Sequence, residues 1–158
     1  MPSVASDYYP LVAGRRLTYR ARAAEGGGKI VVRTLKVQGE EALCERSVRW
    51  NSEPERKRRF SVRRDPDGVR VGKELEFPLP LAIGTSWGQY PREYTVESFD
   101  AVADTPAGRF TGCLKIVYLI GGGDAGSGER VYAPKIGLVR EVCDEESESY
   151  EHVLEALR

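Results

Sequence analysis

Apolar and polar residues alternate along most of this chain. In the segment RRLTYRARA, Leu17, Tyr19 and Ala21 alternate with polar residues. Alternation with a period of two predicts a strand with one buried face. The pattern recurs in EALCERSVRW, RRFSVRR and REYTVESF. No amphipathic helix of three turns is predicted, except that the C-terminal segment SYEHVLEALR fits either a strand or a helical turn.

Glycine and proline punctuate these segments. The runs EGGGK (25–29) and GGGDAGSG (121–128) predict flexible hairpin loops, because glycine-rich chain rarely holds regular structure. Between Cys113 and Ile120 the chain is apolar on both faces apart from Lys115. A strand of this kind is expected near the centre of a sheet.

A Pro-Leu-x-x-Gly motif occurs twice, at Pro10–Gly14 and Pro80–Gly84. Proline restricts the backbone and glycine permits a tight bend that starts a strand. Two interpretations are open: a duplicated half-sheet, with halves of about 9–78 and 79–158, or one turn geometry used twice. Both agree with a single all-β domain, folded as an antiparallel barrel, half-barrel or sandwich of about ten strands.

Charge and composition argue against some classes of function and bear on the cellular location. The 158 residues include 24 basic and 24 acidic ones, so no overall field attracts nucleic acid or membrane. No apolar run is long enough to span a membrane. No signal peptide is visible at the N-terminus. We therefore expect a cytoplasmic protein if Met1 is native, and a cell-envelope or secreted protein if a signal was removed.

Residues for catalysis are scarce. His152 is the sole histidine, and Cys44, Cys113 and Cys143 are too widely spaced for a disulfide framework or a zinc motif. No nucleophile-elbow, zincin or phosphate-loop motif is present. The sequence thus predicts no enzymatic activity, no metal and no cofactor, and three buried free thiols.

A basic stretch suggests one alternative function. Residues 46–64 hold eight basic residues against two acidic ones, with Trp50 and Phe60 interleaved. This composition is typical of a nucleic-acid surface. The residues that would form it are Arg56, Lys57, Arg58, Arg59 and Arg63. The favoured interpretation is a strand whose outward face is solvated, with Phe60 and Val62 packed inward.

Tyrosine and tryptophan suggest the main functional hypothesis. These side chains favour half-wet sites and can line the inside of a barrel that holds an apolar ligand. The competing interpretation is ordinary sheet core. The sequence therefore predicts a non-catalytic module that binds a small apolar molecule or a protein partner on a concave sheet face. Its expected lining is Tyr19, Trp50, Trp87, Tyr94 and Tyr118.

Three segments resemble a bacterial family without an established activity. YYPLVAGRRLTY, TPAGRFTGCLKI and RVYAPKIGLV occur here in the family's order, and the resemblance spans most of the chain, from Tyr8 to Val139. Members are often lipoproteins or secreted proteins, and the resemblance implies an antiparallel β fold. Leu17 stands where the family usually has tryptophan, and Lys135 where it usually has glycine.

Overall fold

The computed structural model describes residues 7–146 and 148–158. Its strands are β1 (Arg16–Ala23), β2 (Gly26–Gln38), β3 (Glu41–Trp50), β4 (Arg56–Asp65), β5 (Gly68–Val71), β6 (Glu74–Pro78), β7 (Ser86–Gln89), β8 (Arg92–Thr105), β9 (Gly108–Ile120), β10 (Gly126–Ala133), β11 (Gly137–Glu145) and β12 (Ser149–Leu157). A single 3-10 turn at Gly121–Gly123 lies between β9 and β10. The C-terminal segment whose pattern was ambiguous is thus a strand.

All twelve strands form one antiparallel sheet in the order β6-β5-β4-β3-β2-β1-β12-β11-β10-β9-β8-β7. Strands that are consecutive in sequence pair with each other, apart from β6 and β7, which form the two edges of the sheet. The two halves are joined by the pairing of β1 with β12. The sheet curls into a nearly closed barrel. The predicted all-β antiparallel class is therefore confirmed, with the short strands β5, β6 and β7 raising the count above ten.

The inner face of the curled sheet carries the residues that alternation marked as apolar. On β1, Tyr19 and Ala21 are buried, and on β4, Val62 is 1% exposed. Val62, Phe77 and Leu114 belong to the largest core cluster, which joins strands from both edges of the sheet. Burial of such side chains contributes about 1.5–3 kcal/mol each before entropic costs.

β9 is not at the centre of the sheet, contrary to the sequence prediction. It is the third strand from the β7 edge, and β1 and β12 occupy the centre. The second face of β9 is apolar for a different reason than a central position in the sheet. Bulges in β8 shift its pairing with β9, and Ala103 and Cys113 of this hairpin pack with Val139 and Leu154 in a second core cluster. β9 thus contributes to three core clusters, with Leu114 in the first, Cys113 in the second and Tyr118 in the third.

The two Pro-Leu-x-x-Gly motifs share the geometry of the turn at their glycine, although the peptide bond before Pro80 is cis and the one before Pro10 is trans. Gly14 has φ 82° and Gly84 has φ 91°, in the left-handed region that favours glycine. The Gly14 N–H donates to the Thr34 carbonyl on β2, and the Gly84 N–H donates to the Val96 carbonyl on β8. Six strands follow each turn. The same turn therefore begins β1 and β7, and duplication stays a prediction.

No helix in the described part of the chain is long and apolar enough to cross a membrane.

Candidate functional site

A cavity of about 810 Å³ lies on the inner face and is partly open to solvent. Its volume is within the usual range for small-molecule sites, about 300–1,000 Å³. Much of its surface is apolar. The apolar lining consists of Leu11, Leu17, Ile30, Val32, Phe60, Val71, Ile136 and Leu138. Strand alternation explains this lining, because every second residue of β1 and β2 faces inward.

A buried ionic network forms one side of the cavity. Arg130 on β10 contacts Glu141 on β11, with Nε 3.1 Å from Oε2, and Glu76 on β6, with Nη1 3.6 Å from Oε1. Glu141 is only 8% exposed. Burying these three charged groups costs desolvation free energy. The attraction of the Arg130 cation for the two carboxylates offsets that cost.

Three tyrosine hydroxyls also donate hydrogen bonds to these two carboxylates. The Tyr132 hydroxyl donates to Glu76 at 2.7 Å, and Tyr118 and Tyr150 donate to Glu141 at 3.0 and 3.3 Å. Burial, followed by the Glu141 charge, raises the pKa of Tyr150 to about 12 and that of Tyr118 further. All three phenols therefore remain donors at neutral pH.

Aromatic rings cover the Arg130 guanidinium. Its carbon lies 5.2 Å from the Tyr94 ring centre and 5.5 Å from that of Tyr118. Trp87 stacks on Tyr94, with ring centres 5.6 Å apart. A cation over an aromatic face gains about 0.5–2 kcal/mol, depending on desolvation. Three of the aromatic residues expected to line a ligand site thus pack around a structural ion cluster.

Six basic side chains line the cavity: Arg15, Arg46, Arg58, Arg59, Lys73 and Arg130. Two of them, Arg46 on β3 and Arg58 on β4, lie on adjacent strands. These residues are Cα partners in the β3–β4 ladder, and both line the cavity. Arg46 is half-buried, while Arg58 is exposed. Burial lowers the pKa of Arg46, and the Arg58 charge lowers it further. Arginine nevertheless stays protonated in proteins.

His152 lines the cavity beside Tyr150, with ring centres 4.7 Å apart. Burial lowers the pKa of His152. The Glu141 carboxylate raises it and the Arg46 charge lowers it further. The imidazole is therefore neutral at pH 7.

Acidification is expected to destabilise the protein through His152. An unfolded histidine has a pKa of about 6.5. Because the folded pKa is lower, the unfolded state binds more protons as pH falls through this window, and the free energy of unfolding decreases. Urea denaturation at about pH 7 and pH 5 should show a smaller loss for His152→Gln than for wild type. Identical losses would contradict the assignment.

The three thiols show no sign of activation. Cys44, Cys113 and Cys143 are free and buried. Burial raises the pKa of Cys44 and Cys113, the opposite of what a nucleophilic thiolate requires. Within residues 7–146 and 148–158, no group of three or more metal-ligating side chains is arranged to hold an ion.

The structure separates the five residues predicted to form the ligand site. Tyr19 lines the cavity, and its hydroxyl donates to the Leu138 carbonyl at 2.7 Å. Trp50 packs against the second core cluster and borders a smaller pocket of about 280 Å³. Trp87, Tyr94 and Tyr118 belong to the aromatic group around Arg130. Of the five predicted residues, only Tyr19 therefore lines the cavity.

The basic stretch is divided between two faces of the sheet. Arg58 lines the cavity, whereas Lys57 and Arg63 alternate with inward-facing residues and pair with Glu55 and Asp65. Arg59 pairs with Glu45, while Phe60 and Val62 pack in the core, as the sequence predicted. Arg56 borders the smaller pocket. All five candidate residues are exposed, with Arg58 and Arg59 both on the cavity lining, and the nucleic-acid alternative stays a prediction.

Sequence reasoning missed Arg46, Arg130, Glu76 and Glu141. One signal was present for Arg46: it occupies the same alternating face as Cys44 and Val48, so a charge at this position is expected inside. The other three come from β6, β10 and β11, and no short motif links them.

Two crystal structures share this fold. A candidate exported protein with a YmcC-like fold from Bacteroides fragilis matches with a TM-score of 0.68 and 16% identity, over 96% of this chain and 99% of that one. A candidate lipoprotein from Parabacteroides distasonis matches with a TM-score of 0.63 and 15% identity, over 96% and 98%. Their descriptions name no reaction or ligand. No protein-family model and no curated protein matches the sequence. The likeness shows the fold, and the bacterial neighbours agree with the bacterial family suggested by the motifs.

Proposed function

We propose that the protein is a non-catalytic binding module that holds a small apolar molecule in the cavity. The supporting observation is the cavity of about 810 Å³ with its apolar lining from β1, β2, β4 and β5. Concave, mostly apolar sites with a few polar groups are the common form of small-molecule sites. The lining proposed here keeps Tyr19 and replaces the other aromatic candidates with Leu17, Val32 and Leu138.

A location in the cell envelope or outside the cell also belongs to this proposal. The two structural neighbours are described as a candidate exported protein and a candidate lipoprotein. An apolar molecule in an aqueous compartment needs a protein cavity that shields its surface from water.

Filling the cavity is expected to abolish binding of an apolar probe. Val32 lines the cavity, and Val31 precedes it on β2 with its side chain on the opposite face. N-phenyl-1-naphthylamine, a neutral fluorophore that brightens in apolar surroundings, should bind the wild type. Val32→Trp should weaken this binding at least about tenfold, a loss of about 1.4 kcal/mol.

Val31→Trp is the matched control, because it adds the same volume outside the cavity. Circular dichroism would confirm that both variants fold, and Leu138→Trp provides a second filling variant on another strand. Native mass spectrometry would identify any molecule that co-purifies with wild type. Equal fluorescence with Val32→Trp and Val31→Trp, or no fluorescence with wild type, would overturn the proposal.

A further inference from the structure

Two arginines that lie opposite each other on β3 and β4, at the cavity wall, have no ion-pair partner in the described chain. Within residues 7–146 and 148–158, no carboxylate oxygen lies within 4.0 Å of the side-chain nitrogens of Arg46 or Arg58. Basic residues beside them on the same strands are paired: Arg49 and Lys57 with Glu55. Arg46 and Arg58 thus bring two unpaired charges together on the cavity wall, where the neighbouring Arg59 is paired with Glu45.

The arrangement of Arg46 and Arg58 is unfavourable without a ligand. Like charges directly opposite each other on neighbouring strands destabilise a sheet. Half-burial also removes water from Arg46, and the Glu141 charge, which raises the pKa of Arg46, does not cancel the lowering caused by burial and by Arg58. Glu141, a buried carboxylate that lines the same cavity, already accepts from Arg130, Tyr118 and Tyr150. An anion between the two guanidinium groups would relieve both costs.

An apolar row begins directly beside the arginine pair. The strand registers place Arg58 opposite Arg46, Arg46 opposite Val32, and Val32 opposite Leu17. All four residues line the cavity. A molecule that extends along this row therefore meets two cations at one end and aliphatic side chains at the other.

We propose that the cavity binds a single-chain amphiphile whose anionic oxygen head group, a carboxylate or a phosphate, is held by Arg46 and Arg58 while its chain lies along Val32 and Leu17. This inference rests on the proposed function, since it needs a ligand in the same cavity. The planar guanidinium fork binds carboxylate and phosphate oxygens in pairs, which makes arginine suited to either head group.

The test compares three ligands with the same eighteen-carbon chain, each kept below its micelle concentration: oleate, oleoyl lysophosphatidate and the uncharged oleyl alcohol. Each is titrated against the protein loaded with N-phenyl-1-naphthylamine. Charge-assisted hydrogen bonds predict that at least one anionic ligand displaces the probe at a concentration at least about tenfold lower than the alcohol does. The more effective anion identifies the head group.

The double variant Arg46→Met/Arg58→Met should bind the probe and lose the preference for the anionic ligand. Arg49→Met/Lys57→Met removes two positive charges from the same two strands on the opposite face and should keep the preference. Equal displacement by all three ligands with wild type would overturn this inference alone, as would an unchanged preference in Arg46→Met/Arg58→Met. If the probe does not bind wild type, the proposed function fails first.

Discussion

Replacing Arg130 with methionine is expected to lower the free energy of unfolding by about 3–5 kcal/mol, the usual cost of breaking a buried ion pair. Arg130 is the cation that compensates both Glu76 and Glu141. Its removal leaves two carboxylates in a largely desolvated region with only tyrosine hydroxyls as partners. Urea denaturation monitored by circular dichroism would measure the change.

Arg140 provides the matched control, because the side chains of its pair with Glu151 are 36% and 37% exposed, against 18% and 11% for Arg130 and Glu141. Arg140→Met should cost less than about 1 kcal/mol. Adding Glu141→Gln to Arg130→Met should recover part of the loss, since it removes one of the uncompensated charges. A loss for Arg130→Met no larger than for Arg140→Met would show that the network is not a buried structural element.

Phe77→Ala is expected to cost about 3–5 kcal/mol, although Phe77 lies on the short edge strand β6. Phe77 is fully buried and meets Tyr132 on β10 edge to face, with ring centres 5.6 Å apart. The contact connects β6 with the opposite half of the sheet, so its loss should both leave a void and loosen the curl.

Leu119→Ala is the comparison for this substitution, because Leu119 is 46% exposed on β9. We expect a change within about 0.5 kcal/mol for this surface position. Thermal and urea unfolding of the two variants would give both numbers. A small effect of Phe77→Ala would mean that β6 does not pack across the sheet in solution.

Alternation alone was sufficient to predict the fold class. The inward positions of Tyr19, Ala21, Val62 and Val96 followed from their place in period-two segments, and all four are buried. Successive side chains of a strand point to opposite faces, so the face of each residue can be predicted from the short segment around it. Sheet order is not local, which explains why β9 was placed too close to the centre.

The glycine runs show where local rules fail. Both were expected to be loops, but β2 begins at Gly26 and β10 at Gly126. Gly128 lies opposite Tyr118, and Gly28 lies opposite Trp50. A Cβ at either glycine would collide with the facing aromatic residue. An aromatic ring on the neighbouring strand covers the glycine and replaces the missing side chain, a relation that no single segment reveals.

The candidate site depended on contacts that are distant in sequence. Glu76, Arg130 and Glu141 come together because β6 lies across the curled sheet from β10 and β11. Three of the eight tyrosines, Tyr118, Tyr132 and Tyr150, donate hydrogen bonds to this ion network, which the aromatic composition alone did not indicate. A charged residue at an inward-facing position of an alternating segment, such as Arg46, indicates the lining of the cavity better than the aromatic composition does.

The pairing of β1 with β12 has a consequence for synthesis. When β1 to β6 have left the ribosome, one long edge of β1 has no partner, and it stays open until Ser149–Leu157 is made. Such an edge is a template for unwanted strand addition. A nascent chain therefore benefits from a chaperone or from rapid elongation through its last strands, and chains that terminate before β12 should be prone to aggregation.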